Sequence, residues 1–200
     1  MTTWASEELP SVELGDQRLN NRLQVLVETW ARGPEGSIPQ ACKGDPASLK
    51  AAYRVFDNDR VEASKILAGQ VASTCTRGEG HATILAIPDT TSLDFTQPPG
   101  TRGLGYLEAD YWRGLKVHSV FGVSPEGVPL GILHQTHWVR DEANYGKKAT
   151  RRQKRTAAKE SQRWLEAQAA TLAALPEGQK VVTKAAREAD LDDFLALPRR

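Results

Sequence analysis

An aspartate at the end of a short apolar run is the first residue whose type and position suit chemistry. Residues 84–95 have the sequence ILAIPDTTSLDF. The apolar run predicts a buried strand, which we expect to end at Pro88 because proline cannot donate to a sheet ladder. Asp89 would then lie on rigid backbone, where a metal ion or a reacting phosphate can meet it. The alternative is that Asp89 only caps a turn through Thr90 and Ser92.

Two pairs of basic residues near the start of the chain have helical spacing. Arg18 and Arg22 are four residues apart, and so are Lys50 and Arg54. Residues with this spacing share one face of a helix, which is usually a solvated face but also suits contact with phosphates. Tyr53 lies beside the second pair and is a candidate contact for a base or a sugar. The sequence therefore predicts two basic helix faces, which are either solvated surfaces or contacts for phosphates.

A third basic feature is the sequence KKATRRQKR at residues 147–155, which contains no acidic residue. It precedes a predicted helix over roughly 151–175, where cations oppose the helix dipole. A solvated helix start is the ordinary interpretation of such a run, and an anionic partner such as DNA is the alternative. Its basic residues are Lys147, Lys148, Arg151, Arg152, Lys154 and Arg155.

The histidines do not predict a zinc site. His134 and His137 are three residues apart on a predicted strand, so they point to opposite faces. Neither has a thiol or a set of carboxylates nearby in the sequence. His118 is expected to be a core or surface residue of a strand rather than a metal ligand.

Composition is that of an ordinary soluble globular protein. The chain has 200 residues, of which 40% are hydrophobic and 26% charged, with a formal net charge of +1. No apolar run approaches the length of a membrane span, and the first residues lack the features of a signal peptide. Cys42 and Cys75 have no metal-ligand spacing, so we expect reduced thiols in a cytoplasmic protein that does not bind membranes.

The first 76 residues are predicted to be helical. One helix begins at Asp16 and ends before Gly33 and Pro34, and a second begins at Asp45. The apolar stripe of the second helix consists of Leu49, Ala52, Tyr53 and Phe56, and a third helix covers residues 61–76. Residues 77–83, RGEGHAT, are predicted to be a linker.

The periodicity changes after the linker. Strands are predicted at 84–87, 115–123, 128–139 and 180–183, with the long helix before the last strand and another helix from 190 onward. The second and third strands form a hairpin around SPEG at 124–127. We expect the first strand to lie between this hairpin and the fourth strand. This order, with a carboxylate at the end of the first strand, predicts an incomplete ribonuclease-H-like domain of the α+β or α/β class.

The sequence resembles the bacterial cut-and-paste transposases of the insertion-sequence-four family, the group that contains the transposon-five transposase. The resemblance covers essentially the whole chain, and its two diagnostic blocks are DTTSLDF and READ. Other blocks in the same order are WASEEL, LGDQRLNNRL, SIPQAC, KAAYRVFDNDRV, GLGYL, LKVHSVFGVSPEGVPLGILHQTHWVR and KESQRW.

The resemblance implies metal-dependent cleavage and strand transfer of DNA. Family members hold two divalent ions, Mg²⁺ or Mn²⁺, between two aspartates and a glutamate. Asp89 matches the first aspartate, whereas Ala186 stands at the position of the second. The glutamate belongs to a later motif that these 200 residues do not contain. Metal binding is therefore expected to be weak, and the residues expected to support the site are Arg187, Glu188 and Asp190.

The resemblance thus predicts an N-terminal fragment of a transposase. Residues 1–76 are expected to bind double-stranded DNA at transposon ends, and residues 84–200 to form a partial catalytic domain. We expect this chain to be inactive in cleavage by itself. The alternative function is that of a non-catalytic regulator, which occupies transposon ends or pairs with full-length transposase and inhibits it.

Overall fold

A computed structural model describes residues 3–97, 100–109, 111–146, 160–186, 189 and 192–197. The chain divides into two compact units, residues 1–76 and residues 77–200, which we call unit 1 and unit 2. Nowhere in these described ranges is a helix both long and apolar enough to cross a membrane.

Helices account for the regular structure before residue 79. They are α1 (Trp4–Glu8), α2 (Gln17–Ala31), α3 (Ile38–Ala41), α4 (Pro46–Phe56) and α5 (Ala63–Gly78). Helices α2, α4 and α5 confirm the three predicted helices, although α5 extends into the predicted linker. Helices α1 and α3 were not predicted, because segments of five and four residues are too short to show a helical repeat.

Aspartates begin both long helices that were predicted from capping signals. An Oδ1 atom of Asp16 accepts a hydrogen bond from the N–H of Arg18 at 2.8 Å. The carboxylate of Asp45 accepts from the N–H groups of Ala47 and Ser48. The Ser48 hydroxyl and these two N–H groups hold the pKa of Asp45 below its ordinary value. Each carboxylate thus satisfies N–H groups that the first helical turn leaves without a partner.

The core of unit 1 is a single cluster of buried apolar side chains. Its members are Leu9, Val12, Leu14, Leu19, Leu23, Leu26, Cys42, Ala52 and Val55. Helix α5 approaches this cluster closely at Gly69, where a Cβ atom would lie 2.3 Å from Cγ2 of Val12. A glycine is therefore required at this contact.

Unit 2 is built on a mixed sheet. Its strands are β1 (Thr83–Asp94), β2 (Gly105–Tyr106), β3 (Arg113–Val123), β4 (Pro129–Trp138) and β5 (Lys180–Thr183). Strand β1 pairs antiparallel with β3 and parallel with β5, and β3 also pairs antiparallel with β4 and β2. The predicted position of the first strand, between the hairpin and the fourth strand, is confirmed.

Strand β1 is longer than predicted, and its predicted end at Pro88 is wrong. Pro88 pairs with Val120 in the middle of the β1–β3 ladder. The C=O of Ala86 accepts from the N–H of Lys184 on the β5 side at 2.9 Å. Because backbone groups alternate in direction along a strand, the nitrogen of Pro88 also points to the β5 side, away from β3. The missing N–H therefore costs no hydrogen bond to β3, and the strand continues.

The two faces of the sheet differ. Helix α6 (Gln162–Ala174) packs on the face that includes Ile84, Ala86 and Pro88 of β1, which we call the covered face. The face that includes Leu85, Ile87 and Asp89, which we call the open face, leaves large apolar side chains exposed. These exposed side chains are Leu93, Phe121 and Val182.

The covered face of β3 buries polar side chains as well as apolar ones. Lys116 and His118 are buried there, whereas Leu115, Val117 and Phe121 lie on the open face. The ammonium of Lys116 donates to Glu108 and, at 2.7 Å, to Ser92. Alternation along β3 therefore predicted the strand but gave no indication of which face α6 covers.

Short elements complete unit 2. They are the 3₁₀-helix η1 (Glu142–Asn144) and helix α7 (Asp192–Leu195). Trp164 of α6, which is 1% exposed, forms a small apolar cluster with Ala189 and Phe194. The predicted long helix is confirmed from residue 162 onward, and residues 151–159 lie outside the described residues.

Candidate nucleic-acid interface and metal site

Arg18 and Arg22 lie on the exposed side of α2, as their spacing predicts. The other side of this helix carries Leu19, Leu23 and Leu26, which are buried in the core of unit 1. Burial of these leucines fixes the rotation of α2 about its axis. The two guanidinium groups, one turn apart, are therefore directed to solvent, and we call this pair the α2 surface.

Helix α4 presents Lys50, Tyr53 and Arg54 to solvent, and we call these three residues the α4 surface. The Tyr53 side chain is 51% exposed. Phe56 borders the same shallow depression and meets the Trp30 ring edge to face, with 6.4 Å between ring centroids. Exposed rings between cations suit stacking on bases and contact with phosphates.

The predicted apolar stripe of α4 is wrong in part. Tyr53 and Phe56 are exposed, and the buried residues of the helix are Ala52 and Val55. The predicted stripe correctly included Ala52 but left out the buried Val55. The sequence therefore did not indicate that Phe56 belongs to the exposed surface beside the cations.

Asp89 lies within β1, and its side chain is exposed on the open face. Among the described residues, its carboxylate makes no ion pair and accepts no hydrogen bond. The turn-capping alternative is therefore wrong, because the backbone around Asp89 is extended and paired with β3. An exposed carboxylate on a paired strand is held in position by the sheet and can be reached by a ligand.

One polar residue from β3 and one from β4 lie level with Asp89. Asp89 pairs with Ser119 of β3, and Ser119 pairs with Gln135 of β4. The side-chain amide of Gln135 donates to the hydroxyl of Ser119 at 2.9 Å. We call Asp89, Ser119 and Gln135 the transverse row. Sequence reasoning missed Ser119 and Gln135, because only the register of three strands places them beside Asp89.

Position 186 follows β5, which pairs with β1 on the side away from β3. Strands β1 and β5 pair as far as Ala86 and Thr183, and the N–H of Lys184 still donates to the C=O of Ala86, so Ala186 lies three residues beyond the last paired residue. Ala186 is exposed and offers no side-chain atom to a metal. The supporting residues predicted next to it, Arg187, Glu188 and Asp190, lie outside the described residues.

The chemistry of the row limits what it can hold. Carboxylate, hydroxyl and amide oxygens are donors that Mg²⁺ and Mn²⁺ prefer. Asp89 is the only carboxylate of the transverse row, so the row fits one weakly held cation. It does not fit a pair of cations, because each ion of such a pair needs carboxylates of its own.

A buried network lies behind Asp89 on the covered face. The Oγ1 atom of Thr90 accepts from Nε of Arg163 at 3.0 Å and lies 2.8 Å from Nδ1 of His118. The His118 ring meets the Trp164 ring edge to face, with 4.7 Å between centroids. These contacts tie the residue after Asp89 to α6 and so restrain the backbone that carries the carboxylate.

His118 is a core residue, as one of the two predicted alternatives states, and it is fully buried. Burial first, and then the nearby cationic groups Arg163 and His134, lower the pKa of His118 to about 4, against a smaller opposing effect of Asp89. His134 pairs with Val120 on the covered face, whereas His137 lies on the open face. The two histidines therefore point to opposite faces, as predicted.

The predicted basic run cannot be placed. Its residues Lys147, Lys148, Arg151, Arg152, Lys154 and Arg155 lie outside the described residues. Arg140, which precedes the run, makes two hydrogen bonds to the carboxylate of Glu160, at 2.6 and 2.8 Å. This ion pair raises the pKa of Arg140.

Comparison with known families gives one result. Residues 1–61 match the protein family described as transposase DNA-binding. The match includes the whole of the α2 and α4 surfaces. It supports a transposase N-terminal region in this part of the chain, with DNA as its partner.

Proposed function

We propose that this protein binds the DNA ends of a transposon through the α2 and α4 surfaces of unit 1. The observation that carries the proposal is the match of residues 1–61, because it contains all five candidate contact residues of unit 1. Four of them are cations on exposed helix faces, which suits contact with phosphates. The fifth, Tyr53, supplies an exposed ring next to two of these cations.

We further propose that unit 2 is a ribonuclease-H-like domain of a cut-and-paste transposase of the insertion-sequence-four family. Strand β1 lies between antiparallel β3 and parallel β5, and helix α6 precedes β5 in the chain. Asp89 is an exposed carboxylate on β1, and extending the parallel β1–β5 register by three residues would bring position 186 level with it, as two metal-binding aspartates need. The support for this proposal is the strand order of unit 2 and the register of β1 with β5.

Unit 2 is not expected to cleave DNA by itself. Cleavage with two metal ions requires ligands on both sides of the scissile phosphate, because each ion neutralises a different oxygen. Ala186 stands where the resemblance implies the second metal-binding aspartate. Asp89 would hold one Mg²⁺ or Mn²⁺ ion weakly, and the ion would neutralise charge on a phosphate oxygen.

DNA binding is tested with the full chain and fluorescent duplexes that carry the terminal repeat or a scrambled sequence. Affinity should fall with salt by about 0.9 log units per phosphate contact for each tenfold rise. Replacing Arg18 and Arg22 together, or Lys50 and Arg54 together, by alanine should reduce this slope by about 2. Arg32→Ala is the matched control, because Arg32 is an exposed cation at the end of the same helix α2. A slope unchanged by both double substitutions would exclude these surfaces.

Cleavage is tested by incubating the wild-type chain and Ala186→Asp with repeat-containing DNA and Mn²⁺. We expect no nicks at the repeat boundary from either protein, although Ala186→Asp should raise the melting temperature in Mn²⁺ through linked binding. Nicks from the wild-type chain would show that another group completes the site.

A non-catalytic regulator is the second candidate function, and Ala186 is the observation that favours it. A chain that binds transposon ends without cutting them competes with an active transposase for the same DNA. Adding the chain to an active transposase of the same element should reduce strand cleavage in proportion to the ends it occupies. The Arg18 and Arg22 double variant should inhibit less, and undiminished cleavage would contradict this function.

A further inference from the structure

We infer that the transverse row is a second DNA contact, at which Ser119 and Gln135 donate hydrogen bonds to a phosphodiester group beside Asp89. The inference rests on the proposed function, because DNA must be bound by the same chain. It adds two residues that neither the sequence motifs nor the family match identified.

The geometry of the row suits an extended strand of nucleic acid. Ser119 and Gln135 occupy consecutive strands on the open face, next to Asp89. Neighbouring strands are about 4.8 Å apart, so the row spans about 10 Å. Polar groups therefore cross the sheet at right angles to its strands.

The row retains donors after its internal hydrogen bond is made. Gln135 uses one N–H for the Oγ atom of Ser119, and an amide carries two. Ser119 accepts that bond, so its own O–H is free to donate. The internal bond also holds both side chains in place before a ligand arrives, which reduces the entropy lost on binding.

Apolar side chains flank the transverse row on both sides. Ile87 and Phe121 lie on one side of the row and Val117 on the other, all on the open face. A phosphodiester offers non-bridging oxygens to the two donors while its sugars meet apolar side chains. The negative charge of Asp89 opposes the phosphate, so in the absence of a cation the row adds little to affinity.

The test removes this repulsion without any metal. Asp89→Asn keeps the shape of the side chain and removes its charge. In buffer with EDTA, the full chain with Asp89→Asn should bind a 20-base-pair duplex about fivefold more tightly than wild type. This gain in affinity should depend on the Ser119 hydroxyl and the Gln135 amide. With no charge at position 89, these two groups can donate hydrogen bonds to the phosphate.

Ser119→Ala and Gln135→Ala are then introduced separately, both into the Asp89→Asn protein and into the wild-type chain. Each should lower the affinity of the Asp89→Asn protein about fivefold, the effect of one net hydrogen bond, and change wild-type affinity less than twofold. This non-additivity is the signature of a shared contact. Ser119→Thr retains the hydroxyl and should keep the gain. Thr136→Ala is the control, because Thr136 follows Gln135 on β4 and pairs with His118 on the covered face.

The outcomes separate the two proposals. If Asp89→Asn gives no gain, or the gain survives Ser119→Ala combined with Gln135→Ala, the row does not contact DNA and the inference is overturned. Salt-dependent binding through unit 1 would persist in that case. If the wild-type chain fails to bind DNA at any salt concentration, the proposed function fails and the inference fails with it.

Discussion

The candidate contacts of unit 1 and unit 2 are positioned by different means. In unit 1, each basic pair lies on adjacent turns of one helix, so five consecutive residues determine the relation between the two side chains. In unit 2, Asp89, Ser119 and Gln135 come from three strands, and their relation depends on the register of the whole sheet. The first arrangement requires only that a helix forms, whereas the second requires that every pairing is correct.

This difference bears on how each region responds to substitution. A change in unit 1 that leaves α2 and α4 intact leaves the spacing of their cations intact. A change in the covered face of unit 2 acts on the open face as well, because the strands connect them. Substitutions in each unit therefore test whether contacts are positioned locally in unit 1 and by the whole sheet in unit 2.

The largest effect is expected in the support of the sheet. Trp164→Ala removes a side chain that is 1% exposed and contacts His118 and Phe194. We expect a loss of about 3–5 kcal/mol in the free energy of unfolding, measured by denaturant titration. Trp4→Ala, at a tryptophan of unit 1 that is 48% exposed, should change it by less than about 0.5 kcal/mol. Equal losses would contradict the assignment of Trp164 to the core.

The second effect is a dependence on pH that His118 adds to the stability of unit 2. The pKa of His118 is about 4, below its ordinary value of 6.5, so the unfolded chain binds the proton more readily. Stability should therefore fall as the pH is lowered from 6.5 to 4, by about 3 kcal/mol or less. His118→Gln should reduce this slope, as measured by unfolding at several pH values. An unchanged slope would assign the effect to other groups.

The sequence predicted the helices of unit 1 well because their signals are local. Asp16 and Asp45 precede the helices that they cap, and the leucines of α2 repeat at helical spacing. The α4 stripe was predicted less well, because the partner that packs against a helix decides whether Ala52 or Phe56 is buried. Propensity and periodicity contain no information about that partner.

A third and smaller effect tests one of these local signals. Asp16→Ala leaves the N–H of Arg18 without its partner at the start of α2. Loss of such a cap typically costs about 1 kcal/mol. Asp16→Asn keeps an acceptor oxygen and should restore most of the loss in thermal unfolding. If both variants are equally destabilised, the charge of Asp16 rather than its capping bond matters.

The smallest effect on stability concerns association of the sheet. Val182 of β5 is 42% exposed on the open face, and exposed apolar sheet surface promotes aggregation. Val182→Lys should reduce concentration-dependent light scattering while changing stability by less than about 0.5 kcal/mol. Val25→Lys, at a 64% exposed valine of α2, is the matched control and should leave scattering unchanged. A similar decrease in both variants would show that added charge alone is responsible.

Less of the site than of the strands was predictable. The strand pattern identified β3, β4 and β5, whereas Asp89 was predicted to follow the first strand and lies within β1. The register was not predictable, because nothing local to Ser119 or Gln135 relates them to a residue 30 or more positions earlier. The continuation of β1 through Pro88 was also missed, since it depends on which neighbour each backbone nitrogen faces.

Pro88 has a consequence for the fidelity of folding. A strand that slips by one residue against its neighbour exchanges its faces, which would carry Asp89 to the covered side. In such a slipped pairing the nitrogen of Pro88 would point to β3, where it has no hydrogen to donate and its ring would enter the ladder. The native pairing with Val120 avoids this conflict. The proline therefore discriminates against misregistered intermediates and keeps the carboxylate on the side where a ligand can reach it.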